Sequence, residues 1–126
     1  LSTFVQKRRE IAIRYKNAFK NTELSLPILD DNTNSSWHLY TIGWNDKKLG
    51  ISRNRSLKHL RSKGIGATVH YIPVHHQPYY QSLGFQKEQF PNSVEHYNNT
   101  ISLPIFYNLT KREQDYVIKI ILDLLK

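Results

Sequence analysis

Residues 63–80, KGIGATVHYIPVHHQPYY, decide how the rest of this chain is read. Gly64 is placed to end a helix in the left-handed conformation that a residue without Cβ adopts freely. Ala67 to Ile72 alternates and stops at Pro73, as a strand does when its next backbone donor is missing. That spacing predicts Val69 and Tyr71 on one face, with Thr68, His70 and Ile72 on the other. Residues 69–80 hold three histidines, three tyrosines and two prolines, a composition that raises the question of a metal site. The spacing argues against one. Adjacent His75 and His76 on an extended chain point opposite ways, Pro73 fixes the backbone between them and His70, and ligand geometry makes affinity. No metal is expected.

Working outward, Gln77 to Leu83 reads as a short helical turn. Upstream, Ser52 caps a helix carrying Leu57 and Leu60, and WHLYTIGW over Trp37–Trp44 is aromatic and β-branched enough for a strand. NDKKLG supplies the turn between them. Near the start, Thr3 and Gln6 have capping-box spacing. Phe4, Ile11, Tyr15 and Ala18, with Phe19 beside them, recur at helical spacing, which predicts a first helix to about Lys20. Residues 21–36 read as a connection with an extended piece over Leu24 to Leu29. Downstream, Asn92 to Glu95 has capping-box spacing and opens a short helix through Tyr97. Ile101–Leu103 before Pro104 is a brief strand. Thr110 and Glu113 form the clearest capping box, opening a final helix whose Val117, Ile120, Ile121 and Leu124 face the core. The order predicts an α+β fold, a small, largely antiparallel sheet covered by helices.

The chain has 126 residues, enough for one domain. No apolar run approaches the roughly 20 residues of a membrane span, no secretion signal is visible, and no membrane partner is expected. With no cysteine there is no disulfide framework, and a cytoplasmic location is the default expectation. A chain that begins at Leu1, holds no Met and starts almost inside a helix pattern is expected to be a domain of a longer protein. The net charge, 18 − 10 = +8, favours an anionic partner: nucleic acid, an acidic membrane surface or a phosphorylated small molecule. It also fits solvated helix faces, since the basic residues are spread over Lys7, Arg8, Arg9, Lys47, Lys48, Arg53, Arg55, Lys58, Arg61 and Lys63.

Nucleic-acid binding is disfavoured. No recognition helix or RNA-binding sheet motif is present, and Tyr15, Tyr40 and Tyr116 sit at core-like positions rather than on a stacking platform. A self-contained enzyme is also disfavoured, for want of a nucleophile elbow, a phosphate-binding glycine loop or a paired-carboxylate site.

Read in series, HLY at 38–40, Arg53, Leu57 and Leu60, then KGIGATVHYIPVHHQPYY, FPNSVEHY, ISLPIF and LTKREQDYVIKII have a specific order and spacing. This series resembles the C-terminal domain of the DegT/StrS-type nucleotide-sugar aminotransferases. Within that family it is most similar to the enzymes that aminate a UDP-linked 4-keto-6-deoxy sugar for pseudaminic acid. The resemblance covers about the last 90 residues, and Arg9, Ile11, Ala12 and Tyr15 suit the helix leading into them.

The resemblance implies a fold-type I pyridoxal-phosphate enzyme working as a homodimer, with residues 1–126 as its single small domain. The large domain, with the Schiff-base lysine and the cofactor's phosphate site, is then absent from this chain. Lys63 and Lys111 adjoin matched motifs but do not match the lysine motif. Glutamate is the implied amino donor and a nucleotide sugar the acceptor. By the same resemblance His70 contacts the sugar or shields the cofactor, and Tyr71, His75, Tyr79 and Tyr80 are pocket-wall or nucleotide contacts. Packing is the competing role for the three tyrosines, and idle exposure in a turn for His75 and His76. Arg53 is read as a surface or helix-start residue, and Pro104 as the end of a core strand. The fragment alone is expected to be inactive and to hold no cofactor. Two other readings stay open: a stand-alone interaction module of this fold, and a basic single-strand nucleic-acid-binding domain.

Overall fold

A computed structural model describes residues 1–28 and 34–126. The sheet forms where β-branched and aromatic residues alternate with small ones. β1 (Tyr40–Gly43) pairs antiparallel with β2 (Thr100–Leu103), placing Tyr40 opposite Leu103, Thr41 opposite Ser102, Ile42 opposite Ile101 and Gly43 opposite Thr100. One bridge flanks each strand. Ser25 exchanges both backbone hydrogen bonds with Gly43, at 3.1 and 2.7 Å, and Thr68 does the same with Ser102, at 3.1 and 2.8 Å.

Helix α1 (Ser2–Phe19), the one-turn α2 (Asp46–Leu49), α3 (Arg53–Ser62), α4 (Pro78–Ser82), α5 (Pro91–Asn98) and α6 (Lys111–Leu124) surround this ribbon, and a 3₁₀ turn spans Val74–His76. α6 packs on α1 and α3, and α3 packs on β2. Trp44, Tyr15, Tyr40, Phe19, Ile42, Leu60, Ile101 and Ile121 are the large side chains wholly removed from water. The α1–α6 seam is fixed by polar contacts as well. Buried Gln114 donates to the Ile11 carbonyl at 2.8 Å, and Arg14 pairs with Asp115.

Several local expectations hold. Ser52 Oγ accepts from the Arg55 amide at α3, and Gly64 takes φ 74° after that helix. Thr110 and Glu113 form the reciprocal capping box of α6, and Val117 and Ile121 are buried with Ile120 and Leu124 half-buried beside them. NDKKLG is a turn of helical form, capped by the Asn45 side chain and closed by Gly50 at φ 67°.

Others do not hold. α1 already begins at Ser2 and has no side-chain cap, so Thr3 lies within it and Gln6 donates to Glu10 instead. Phe4 is half exposed, its ring edge-on to Tyr107. α5 starts at Pro91 without a side-chain cap, so Asn92 lies inside its first turn. Of Trp37–Trp44 only Tyr40–Gly43 is strand, and Trp37 sits at φ 50°, outside the extended region. Tyr116 is exposed and donates to the Lys63 carbonyl at 3.2 Å. The extended piece over Leu24 to Leu29 reduces to the Ser25 bridge, with Leu29 outside the described residues.

The expected strand Ala67–Ile72 is the bridge at Thr68 alone. β2 sets the far limit of any pairing there. With Thr68 opposite Ser102, a four-residue β2 has partners only for residues 67–70. Tyr71 and Ile72 therefore have nothing to pair with and stand 66% and 51% exposed, without the alternation of faces.

Candidate functional site

Residues 69–98 leave the sheet and build a lobe whose side chains are aromatic and largely exposed. His70 is half-buried, its Nδ1 3.3 Å from Thr68 Oγ1, and its ring meets Tyr71 edge-on at 4.5 Å. The 3₁₀ turn then reverses the chain. His75 is buried there rather than idle in an exposed turn. Its Nε2 donates to the Lys87 carbonyl at 3.1 Å, and its ring lies 4.8 Å from Phe90. His76 donates from Nε2 to the same carbonyl at 3.2 Å, with the two imidazoles 4.4 Å apart. A carbonyl oxygen only accepts, so both Nε2 atoms carry hydrogen. Two histidines thus pin the start of the lobe to a point eleven or twelve residues on.

Pro78 suits the first position of α4, where its missing N–H costs nothing. α4 carries Tyr79 and Tyr80, whose rings meet edge-on at 5.4 Å. Tyr80, Phe85 and Phe90 follow one another at 6.2 and 6.3 Å. With Val74, His75 and Ser93 they line an open cavity of about 370 Å³. Of the five sequence-derived site residues, His75 and Tyr80 share this cavity, Tyr79 flanks it, and His70 and Tyr71 touch each other outside its lining. Phe85 and Phe90 were missed by sequence reasoning. GFQKEQF has neither period two nor period 3.6, and the ring series arises only when the His75–Lys87 contact folds the lobe back.

A second open cavity, on residues including His76, Lys87, Glu88 and Glu95, adjoins the first. Arg53 is buried at the first position of α3, so of its two readings the helix start holds and the surface does not. Its Nε donates to the Asn98 carbonyl at 3.1 Å, its guanidinium lies 5.7 Å from the Tyr97 ring centre, and its amide donates to Asp46 Oδ1 at 2.7 Å. Arg53 therefore ties the start of α3 to the end of α5.

The donor set offers wall chemistry: imidazole and phenol donors, and aromatic faces for a base or sugar ring. Among the described residues, no group of three or more His, Asp or Glu side chains converges as metal ligands. No lysine lines the aromatic cavity, so the residues present do not fit the covalent attachment of pyridoxal phosphate there. The raised phenol pKa values belong to the core: burial pushes Tyr40 up to about 12 and Tyr15 higher still.

Comparison with known proteins gives the class of this small α+β domain. Residues 1–122 match the DegT/DnrJ/EryC1/StrS aminotransferase family, and the chain belongs to that family. It is 39% identical over 126 residues to the spore coat polysaccharide biosynthesis protein SpsC of Bacillus subtilis, covering 97% of this chain and 32% of that protein. Among solved structures it superposes on Helicobacter pylori PseC, an aminotransferase involved in the biosynthesis of pseudoaminic acid. The TM-score there is 0.84 at 30% identity, covering 97% of this chain and 33% of that one. It also superposes on the putative sugar aminotransferase Spr1654 of Streptococcus pneumoniae in its PLP form, with TM-score 0.84 at 28% identity, covering 99% and 33%. The chain spans about a third of the length of these relatives. No described helix is long and apolar enough to cross a membrane.

Proposed function

We propose that this domain forms one wall of the substrate cleft of a pyridoxal-phosphate aminotransferase acting on a nucleotide sugar. The proposed reaction moves an amino group from glutamate to a UDP-linked 4-keto-6-deoxy sugar, in a cytoplasmic homodimer. The observation that carries the reading is the aromatic lobe, which presents Tyr71, Tyr79 and Tyr80 to solvent beside an open cavity, within a domain of this family. Clefts between domains are where such ligands sit. The cofactor supplies the electron sink when bound to the large domain, and the residues here bind and orient. His70 donates to a sugar hydroxyl or diphosphate oxygen, or shields the cofactor. Tyr71 and Tyr79 stack on rings, and Tyr80 forms the cavity wall. His75 shapes that wall, because its Nε2 hydrogen is committed to Lys87.

The test uses the longer protein that carries this domain. His70→Ala should raise KM for the UDP-sugar about tenfold or more, the loss of one hydrogen bond to a charged or multiply bonded group, while the glutamate half-reaction keeps its rate. Unchanged kinetics with the sugar would reject the assignment. The 126-residue chain mixed with pyridoxal phosphate should show no bound-cofactor absorbance, and its appearance would overturn the division of labour.

A further inference from the structure

The basic charge of this protein falls in two runs: residues 46–63 carry seven Lys or Arg against one Asp, 7 − 1 = +6, and residues 7–20 carry six against one Glu, 6 − 1 = +5. In the second run Lys7 and Arg14 are paired with acids, so the first run is the one open to a partner. Arg53 is spent inside the fold, and the lone acid, Asp46, accepts the Arg53 amide. The other six, Lys47, Lys48, Arg55, Lys58, Arg61 and Lys63, are exposed. The ion pairs among the described residues, Lys7–Glu10, Arg14–Asp115 and Lys126–Asp123, involve none of them.

From this we infer that the outer flank of α2 and α3 is a docking surface for the anionic phospholipid face of a bilayer. Leu57 and Leu60 are buried and hold the inner side of α3 in the core, so the helix lies along the surface and presents its flank. The two cavities of the aromatic lobe are lined by other residues than these six. The stretch has no Phe, Tyr or Trp to stack on unpaired bases. The N-terminal end of α3, the part a helix uses to read a duplex groove, is tied to α2 and α5 through Arg53. A fluid plane of headgroups asks only for an exposed, uncompensated basic flank, and rearranges to meet whatever spacing that flank has. Clusters of four to eight Lys or Arg suffice for such adsorption, each strengthening it about fivefold.

Vesicle co-sedimentation tests the inference, with phosphatidylglycerol–phosphatidylcholine vesicles against pure phosphatidylcholine. The wild-type chain should bind the anionic vesicles, release at high salt, and ignore the neutral ones. Lys47→Gln, Lys48→Gln, Arg55→Gln and Lys58→Gln combined should weaken binding on the order of several-hundred-fold. A control with the same net charge, Lys16→Gln, Lys20→Gln, Lys111→Gln and Lys119→Gln combined, should weaken it less than about tenfold. Circular dichroism checks that both remain folded, and a single Lys58→Gln, expected to cost about fivefold, serves if the combined variant does not. Equal losses in both variants would overturn the inference, as would no binding to anionic vesicles. Binding to duplex DNA that the vesicles cannot compete away would also overturn it.

Discussion

Replacing Gly43 with alanine would place a methyl carbon 2.7 Å from Ser25 Cβ, 3.3 Å from its Oγ and 3.5 Å from its carbonyl oxygen. Carbon atoms settle at about 3.5–4.0 Å, so the first contact is short by roughly 1 Å. Ser25 Oγ can rotate away, but Cβ moves only with the backbone, and that backbone exchanges two hydrogen bonds with Gly43. The alanine itself is not strained, since Gly43 is not among the glycines with positive φ. Overpacking costs about 1–3 kcal/mol. Opening the bridge adds about 1 kcal/mol for each bond loosened. The lower chain entropy of unfolded alanine returns about 0.4–1 kcal/mol. The net expectation for Gly43→Ala is a loss of about 2–3 kcal/mol. Ser25→Gly removes both short contacts and leaves only the 3.5 Å approach to the carbonyl, so the double variant should recover most of the loss. Urea unfolding of the four proteins gives the coupling directly. If the two changes add within about 0.5 kcal/mol, the steric argument is wrong.

Tyr40 Oη is buried without a hydrogen-bond partner among the described residues, so Tyr40→Phe should stabilise the fold by about 1 kcal/mol in the same assay, and a loss would contradict it. Burial raises Tyr40 to about 12 and Tyr15 further, so the folded chain keeps protons that the unfolded chain releases from about pH 10. Stability is therefore full below pH 10 and should fall as pH rises toward 12, less steeply in Tyr40→Phe by alkaline titration. Thr110→Ala should cost about 1 kcal/mol through loss of the α6 cap. Hydrogen bonds from Thr110 hold Glu113 below the usual carboxylate range, so that contribution is present above the unfolded pKa and disappears on acidification. Acid-unfolding curves of Glu113→Gln should lack this component. His75→Ala should speed hydrogen exchange of the 76–90 amides while those of α1 and α6 stay protected; uniform acceleration would show that the pin acts on the whole fold.

Where a signal is carried by residues three or four apart, it was legible in the chain. The Thr110–Glu113 box, the Ser52 cap, Gly64 at φ 74° and the stop of β2 at Pro104 each follow from one local interaction. The same rule failed at Thr3–Gln6 and at Asn92–Glu95, because capping-box spacing does not say where the helix begins. Two competing readings did not hold for a different reason: Arg53 as a surface residue and His75 as idle in an exposed turn. Arg53 does start α3, and each side chain is buried against a carbonyl distant in sequence, Asn98 for one and Lys87 for the other.

The sequence by itself determined the helices, the fold class and the family, because periodicity, caps and ordered motifs are properties of neighbours along the chain. Only the tertiary structure decided that Ala67–Ile72 is a single bridge, that His75 and Tyr80 share a cavity with Phe85 and Phe90, and that Arg53 is interior. The length of β2 limits the pairing available to residues 67–72, and the Lys87 carbonyl brings the rings of the lobe together. Such constraints lie on partners far away in the chain, where no local pattern records them.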